Sequence, residues 1–289
     1  MGSMRRALLA ALAAALAFAS APAYAFCRTT TDPIPAGYDP TVRGCITAGT
    51  PLQWPSMPVT YQMQEQASTQ VSLAEATTIF DRSFAKWAAA SCAESGGAKA
   101  PDLSFQDVGP TTAGFTPCDG GACEATARST PHVIIFRDSA WPYNDPSNTL
   151  ALTTVTFGVD TGNLYAADVE INTHEHQVST SVPPPTGTFS LEAIATHEAG
   201  HFIGVAHSQI ATAIMYAHYQ AGATKLTTDD VDAVCSIYPP ATPSSKGCAC
   251  SSAPRSGGAN AATAMGIGVL LLVSRGARRS RRARLKCRP

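Results

Sequence analysis

Positively charged residues are scarce in most of this 289-residue chain. Only nine of its 20 Lys and Arg residues lie between Phe26 and Gly247, whereas all 21 Asp and Glu residues do. That stretch therefore carries a formal net charge of −12, although the whole chain is close to neutral at −1. Nucleic-acid binding depends on Lys and Arg that neutralise phosphates, so this scarcity argues against a nucleic-acid partner. An acidic surface is compatible with a soluble extracellular protein.

The sequence also lacks an uninterrupted apolar run of the ~20 residues that a membrane-spanning helix needs. Its N-terminal apolar run, residues 7–18, follows two arginines and precedes a small-x-small sequence at residues 23–25. These features together predict a secretory signal peptide over residues 1–25. The mature chain is then expected to begin near Phe26.

A second apolar run, residues 261–274, is followed by a basic block at residues 275–289. A basic block beside an apolar segment marks the cytoplasmic flank of a membrane segment, but the short run argues against a permanent anchor. The preceding linker, residues 241–260, contains the pair Gly247-Cys248. Together these features resemble the sorting tails of myxobacterial surface proteins, which a sorting peptidase, a myxosortase, cuts at the Gly-Cys motif. The resemblance implies an exported protein, secreted or attached to the outer cell surface, whose tail contacts the membrane transiently; a plain C-terminal membrane anchor is the alternative.

Six of the nine cysteines lie in the stretch expected to fold, and a secreted chain with an even number of cysteines predicts disulfides. Six cysteines allow fifteen pairings. Cys27 with Cys45 and Cys118 with Cys123 are reasonable pairs, but the sequence alone does not derive them. No C-x-x-C pair occurs in this stretch, which argues against a cysteine-based zinc site.

Three of the seven histidines fall within one eleven-residue motif, His-Glu-Ala-Gly-His-Phe-Ile-Gly-Val-Ala-His, at residues 197–207. Positions four apart share one face of a helix. His197 and His201 can therefore bind one zinc ion at about 2.0–2.1 Å. Glu198 lies one step round the helix, where it can act as the general base toward a water at the metal rather than as a ligand.

His207 is the third candidate ligand of the motif. A continuous helix would carry it about 9 Å past His201, so the chain must turn back. Gly204 is the residue that permits this, because glycine adopts positive φ without penalty. Three imidazoles leave the fourth zinc position open, as a catalytic site requires. The alternative, an amphipathic helix with incidental histidines, leaves the ligand spacing unexplained.

This motif resembles that of the metzincin metallopeptidases, and within them the matrixin-like branch. Met215, eight residues after His207, is similar to the methionine of the family's Met-turn, which implies an apolar floor beneath the metal. Ser208, directly after the third histidine, is also matrixin-like. The resemblance further implies that Tyr216 lines the wall of the substrate pocket beside the scissile bond. The family's inhibitory propeptide cysteine has no recognisable counterpart motif here.

The resemblance covers roughly Pro58–Pro239 and implies an α+β fold, a metzincin-like catalytic domain at residues 58–240 after an N-terminal arm at residues 26–57. The resemblance also implies a mixed twisted sheet with an active-site helix, the Met-turn and a C-terminal helix, and hydrophobic patterning predicts about five strands for that sheet. The predicted strands are Pro58–Met63, Asp102–Val108, Val133–Arg137, Leu150–Phe157 and Leu164–Asn172. The predicted helices are Val71–Cys92, the active-site helix Phe189–Val205 and a last helix from Thr227 to Ile237. By resemblance, the strand Leu150–Phe157 is the edge to which an extended substrate adds as a further strand.

These observations predict a zinc-dependent endopeptidase that hydrolyses extended protein or peptide substrates. The alternatives are a non-catalytic surface protein with a structural zinc, which would not need Glu198, and a membrane-anchored adhesin, which leaves the motif unexplained. The family also holds calcium and a second zinc. Asp160 and Asp168 are candidates for calcium, whereas His174 and His176 do not reproduce the spacing of the second zinc site.

Overall fold

A computed structural model of the chain describes residues 26–35, 37–114 and 132–241, together with the backbone of residues 280–287. The predicted signal peptide, the linker from residue 242 onward, the apolar run at 261–274 and the Cys118–Cys123 pair lie outside the described residues. No helix among the described residues combines the length and the apolar character that crossing a bilayer requires.

Four α-helices and eight strands make up the described structure. The helices are α1 (Pro40–Arg43), α2 (Leu73–Ala88), α3 (Leu191–Phe202) and α4 (Thr228–Ile237), with a 3-10 turn at Pro146–Asn148. The strands are β1 (Val59–Met63), β2 (Phe105–Asp107), β3 (Val133–Phe136), β4 (Ala151–Gly158), β5 (Leu164–Ile171), β6 (Val178–Ser179), β7 (Phe189–Ser190) and β8 (Ser280–Cys287).

The main sheet is mixed and has the strand order β2-β1-β3-β5-β4-β8. Strands β2, β1, β3 and β5 are parallel, and β4 runs antiparallel to β5. Its first five members are the five strands that the sequence predicted, so the predicted α+β fold with a mixed sheet of about five strands is confirmed. Helix α3 is the predicted active-site helix, although it ends at Phe202 and not at Val205, and the small β6–β7 pair was not predicted.

The sixth strand, β8, comes from the predicted basic tail. It pairs antiparallel with the whole of β4, from Ala151 opposite Cys287 to Gly158 opposite Ser280. Strand β4 therefore has a neighbour on both sides, and the edge predicted to receive substrate is taken by a segment of the same chain.

Helix α2 packs its apolar face against α3. Ser72 and Glu75 form a reciprocal capping box at its N-terminus, which satisfies two otherwise unpaired backbone donors. The aromatic residues Phe80, Phe84 and Trp87 are fully buried, as the helical spacing predicted. The indole Nε1 of Trp87 donates to the carbonyl of Thr196 in α3 at 2.9 Å, so the same ring supplies buried area and fixes the position of the active-site helix.

Two disulfides lie within the described residues. Cys27–Cys45, one of the pairs suggested by the sequence, closes a loop in the N-terminal arm. Cys92–Cys235 joins the segment after α2 to α4 over a sequence separation of 143 residues. This second pair was not singled out among the fifteen pairings, because it is set by tertiary packing rather than by spacing along the chain.

We expect the long-range disulfide to contribute more stability than the local one. Replacing Cys92 and Cys235 by alanine should lower the free energy of unfolding by about 2–5 kcal/mol, because the unfolded chain gains the freedom that the crosslink removed. The matched variant, Cys27→Ala with Cys45→Ala, opens a loop of only 18 residues and should cost about 2 kcal/mol less, following the loop-length dependence. Urea unfolding followed by tryptophan fluorescence measures both, and an equal or inverted order would contradict the expectation.

Candidate metal centre and active site

Helix α3 runs through the centre of the domain. Ser190 caps its N-terminus, where its hydroxyl accepts from the amide of Ala193 at 3.2 Å. Eleven of its twelve residues are buried, the exception being Glu192. A helix that is buried on all sides shows no amphipathic pattern, so its position had to be inferred from the histidine motif.

The chain turns back directly after α3, as predicted. Gly204 has φ of +94°, and its amide donates to the carbonyl of His201 at 3.0 Å. The Val205 amide donates to the carbonyl of Gly200 at 2.9 Å, which closes the helix end. A Cβ on Gly204 would lie 2.7 Å from the carbonyl oxygen of Leu52. Both the backbone angle and the lack of space therefore require glycine here.

The turn brings the three motif histidines together. The Nε2 atoms of His197 and His201 are 3.1 Å apart, and those of His201 and His207 are also 3.1 Å apart. Within the described ranges, this triad is the one group of three or more His, Cys, Asp or Glu side chains close enough to share an ion. His197 and His201 are buried and His207 is partly exposed, so the centre opens toward solvent on the His207 side.

The hydrogen bonds of two imidazoles decide what the centre can hold. The Nδ1 of His197 lies 2.7 Å from the carbonyl of Ile214, and that of His201 lies 2.9 Å from the carbonyl of Val205. A carbonyl can only accept, so each Nδ1 carries the proton and each Nε2 presents a lone pair. Burial lowers the pKa of His197 to about 4 and holds the pKa of His201 well below its usual value, which keeps both rings neutral.

Neutral Nε2 acceptors that face one another at this distance have no hydrogen between them to share. A cation removes the conflict, because each lone pair can then be donated to it. A tetrahedral zinc bound at about 2.0–2.1 Å needs nitrogen atoms about 3.3 Å apart. The two separations from His201 Nε2 are close to this, at 3.1 Å each, and all three ligand atoms lie within 4.8 Å of one another. The residues present therefore fit zinc.

Glu198 is fully buried beside His197 in α3. The hydroxyl of Thr153 in β4 donates to its Oε2, whereas its Oε1 has no hydrogen-bond partner among the described residues. Burial raises the pKa of Glu198 to about 8, although the hydrogen bond from Thr153 acts in the opposite direction. A bound cation nearby would lower the pKa and favour the ionised carboxylate. Thr153 is a site residue that sequence reasoning missed.

The predicted Met-turn forms a layer beneath α3. Met215 is buried, and its Sδ fills the space in which a Cβ on Gly200 would sit, at 2.2 Å from that position. Glycine within the histidine motif is therefore explained by the close approach of the methionine. The carbonyl of the preceding residue, Ile214, is the partner that orients His197.

Asp230, at the start of α4, fixes the Met-turn from below. Its buried carboxylate accepts from the amides of Ile214 at 2.9 Å and Met215 at 3.1 Å. It also accepts from the Thr227 amide at 2.8 Å, in the capping box of α4. The sequence predicted the helix itself, but it gave no signal for the bonds from Asp230 to the turn.

A cavity of about 490 Å³ lies on the His207 side of the centre. The N-terminal arm forms one wall, and Ala206, His207, Ala217 and His218 form the opposite one. Tyr216 does not line this cavity; its ring centroid lies 5.4 Å from that of His218, with the two ring planes tilted by 57°. The proposed role of Tyr216 beside the scissile bond therefore stays a prediction.

The candidate ligands for calcium and for a second zinc do not lie together in the structure. Asp160 is exposed in the β4–β5 turn, whereas Asp168 is buried inside β5, where its carboxylate accepts from the Val133 amide at 2.8 Å. His174 Nδ1 lies 3.1 Å from the carbonyl of Asp138, and His176 Nε2 lies 3.1 Å from that of Pro146. The structure thus does not bring the calcium candidates together, and each of these two histidines contacts a backbone carbonyl.

The part of the chain that forms this site is similar in sequence to known metalloproteinases. The matrixin family model matches residues 125–239, which contain β3, β4, β5, α3, the Met-turn and α4. Metalloendoproteinase 1 of Glycine max is 40% identical over 57 residues, 19% of either chain. Interstitial collagenase of Oryctolagus cuniculus is 40% identical over 53 residues, 18% of this chain and 11% of its own. A probable matrix metalloproteinase, 095L, of Invertebrate iridescent virus 3 is 25% identical over 166 residues, 56% of this chain and 37% of its own.

The alignments with the plant relatives span less than a fifth of those proteins. Fold, histidine triad and family match together support a matrixin-like metallopeptidase. Within that class, the family and the geometry of the triad both imply zinc.

Zinc should stabilise the protein through the triad. At free zinc of about 1,000 times its dissociation constant, binding should add about 4 kcal/mol to the free energy of unfolding. His207→Ala should abolish most of that gain, because the ion loses one of its three ligands. The variant should still fold, since His207 is partly exposed and its removal leaves no cavity in the core. Thermal unfolding with zinc and with chelator measures the gain. The matched control, His174→Ala, removes an exposed histidine outside the triad and should keep it; a zinc response that survives His207→Ala would contradict the assignment.

Proposed function

We propose that the protein is a zinc-dependent endopeptidase that cleaves extended protein or peptide substrates outside the cytoplasm. The observation that carries this proposal is the buried carboxylate of Glu198, which has one oxygen held by Thr153 and the other without a partner among the described residues. It lies next to His197, the first member of a triad that is open on one side. A metal site that serves only stability has no need of such a group.

The side chains would divide the work as follows. His197, His201 and His207 would hold zinc, which when bound polarises a peptide carbonyl and acidifies a water molecule. Glu198 Oε1 would accept the proton of that water and pass it to the leaving amine. Thr153 would keep the carboxylate oriented by holding Oε2. The carbonyls of Ile214 and Val205 would keep the two helix imidazoles in the tautomer that presents Nε2.

Substrate would add to the sheet along β4, by main-chain hydrogen bonds that hold an extended peptide whatever its side chains. Thr153, the partner of Glu198, belongs to this strand, so a peptide paired with β4 passes beside the general base. In the structure β8 holds that position, with Leu285 opposite Thr153.

Export and tail processing complete the proposal. The predicted signal peptide and the Cys27–Cys45 and Cys92–Cys235 disulfides support an oxidising, extracytoplasmic location. A sorting peptidase that cuts at Gly247-Cys248 would remove everything after it, β8 included. Membrane contact would then be transient. Calcium at Asp160 or Asp168 is not part of this proposal, because their carboxylates do not converge.

Glu198→Gln should abolish peptide cleavage while zinc stays bound. The amide keeps the size of the side chain and can still accept from Thr153, but it cannot take up a proton. We expect kcat/KM to fall by about 10²–10⁴-fold, the contribution of a positioned base. Chelator-sensitive hydrolysis of casein measures activity, and metal analysis of the purified protein measures zinc.

The matched control for that substitution is Glu175→Gln, which makes the same change at an exposed carboxylate away from the triad. It should leave activity and zinc unchanged. Full activity in Glu198→Gln would disprove the role of the base. Zinc-replete protein without any chelator-sensitive hydrolysis would favour the non-catalytic alternative.

Removing residues 280–289 should activate the enzyme. A substrate strand and β8 compete for the same edge of β4, so only the fraction of molecules with β8 displaced can bind substrate. If β8 is in place nine-tenths of the time, kcat/KM should rise about tenfold on its removal. A chain that ends at Cys287 and so keeps all of β8 is the control. Equal rates for the two shortened chains would show that β8 does not compete with substrate.

A further inference from the structure

The part of the chain that forms the metal centre is strongly one-sided in charge. Between Arg137 and Lys225 the sequence has eight Asp and Glu residues and no Lys or Arg. This stretch includes β4, β5 and α3. Cations that reach it from outside are already paired with its carboxylates, since Arg137 bonds Glu170 and Arg82 bonds Glu192. An acidic substrate side chain therefore has no lysine or arginine of this stretch with which to pair, whereas a basic one meets an excess of negative charge.

Strand β8, which holds the proposed substrate position on β4, has the opposite charge. Its sequence, Ser-Arg-Arg-Ala-Arg-Leu-Lys-Cys, includes four Lys and Arg residues and no Asp or Glu. From position 282 onward, basic residues alternate with small or apolar ones. Successive strand positions belong to opposite faces. Positions 282, 284 and 286 therefore share one face of β8, and positions 283 and 285 share the other.

The pairing register assigns these two faces. Leu285 is opposite Thr153, and residues directly opposite in an antiparallel pair belong to the same face of the sheet. The Thr153 hydroxyl bonds Glu198 of α3, so this face is the one toward the metal centre. The three alternating basic positions belong to the other face, where the sheet separates them from a bound metal ion.

The face away from the metal centre carries acceptors for cations. In the row of position 284, the β4 residue is Thr154 and the β5 residue is Asp168. In the row of position 286, the β5 residue is Glu170. The Thr154 hydroxyl is buried without a hydrogen-bond partner among the described residues, and both carboxylates are buried as well. Two strand spacings separate β5 from β8, about 10 Å, a distance that the long side chains of Lys and Arg can largely cross.

We propose that the substrates are cationic extended peptides in which Lys or Arg alternates with small or apolar residues, and that the row of Thr154 and Asp168 recognises their basic side chains. The inference rests on the proposed peptidase function and names the substrate class of that same site. The acidic domain attracts such chains before they bind, and the row then selects the alternating pattern. Strand β8 pairs with β4 because it has the charge and the pattern of such a peptide.

The preference should appear as a ratio of rates for the full-length, zinc-loaded protein. The test peptide carries the sequence of residues 280–286 between a fluorophore and a quencher. A second peptide has Gln at its four basic positions, and a third has the composition of the first with the basic residues placed together. Displacement of β8 is common to all three peptides and cancels in the ratio. We expect kcat/KM for the test peptide to exceed that of the Gln peptide about tenfold and that of the clustered peptide about threefold. Added salt should reduce both ratios.

Asp168→Asn tests the row directly. The amide oxygen still accepts from the Val133 amide, but the negative charge is lost, so the tenfold ratio should fall to about threefold. Asp160→Asn makes the same change at an exposed carboxylate in the β4–β5 turn and should keep the ratio. Thermal unfolding with zinc shows whether Asp168→Asn folds. If it does not, Thr154→Val removes only a hydroxyl from the same row and should lower the ratio about twofold.

The outcomes separate this inference from the proposed function. Equal rates for the test and Gln peptides would overturn the substrate class and leave the peptidase standing. Equal rates for the test and clustered peptides, or an unchanged ratio in the row variant, would overturn recognition by Thr154 and Asp168. If the wild-type protein cleaves no peptide, the peptidase is wrong, and fluorescence polarisation of the labelled peptides on the same protein still measures the preference. The test peptide should then bind about tenfold more tightly than the Gln peptide, and equal affinities would overturn the inference.

Discussion

Three imidazole nitrogen atoms, held within 4.8 Å of one another, set the requirement that the rest of the structure meets. Two nitrogen lone pairs 3.1 Å apart are unfavourable without a cation, so other contacts of the fold must hold the rings in this arrangement. Two backbone carbonyls, of Ile214 and Val205, do this for the helix ligands by fixing the proton on Nδ1. Neither carbonyl belongs to α3, which means that the helix alone does not make the site.

The Met-turn lies apart from α3 in sequence, yet its position relative to the metal ligands is fixed by hydrogen bonds and packing. Its amides at Ile214 and Met215 donate to Asp230, whose carboxylate is buried and so accepts three backbone bonds in place of water. From above, Gly200 leaves room for the methionine sulfur. The turn is thus held between two helices, α3 by packing and α4 by hydrogen bonds. A change in either helix would reach His197 through the Ile214 carbonyl.

The sequence was informative where spacing along the chain determines geometry. The motif at residues 197–207 predicted the ligands, the active-site helix and the turn at Gly204, and hydrophobic patterning predicted the five strands and helix α2. It was silent where distant segments meet. Thr153 reaches Glu198 only because β4 lies beside α3 in the folded sheet, and Cys92 finds Cys235 across 143 residues. The position of β8 was not predicted either. Its basic residues indicated the flank of a membrane segment, and nothing in them shows with which strand they pair.

The N-terminal arm supports the third metal ligand and also borders the cavity beside it. The backbone bonds that join it to Gly204 and Ala206 support the return of the chain to His207. The loop closed by Cys27–Cys45 then continues from those same bonds to form the cavity wall. A substitution that loosens the pairing should therefore weaken metal binding, whereas a substitution at the tip of the loop should leave metal binding unchanged.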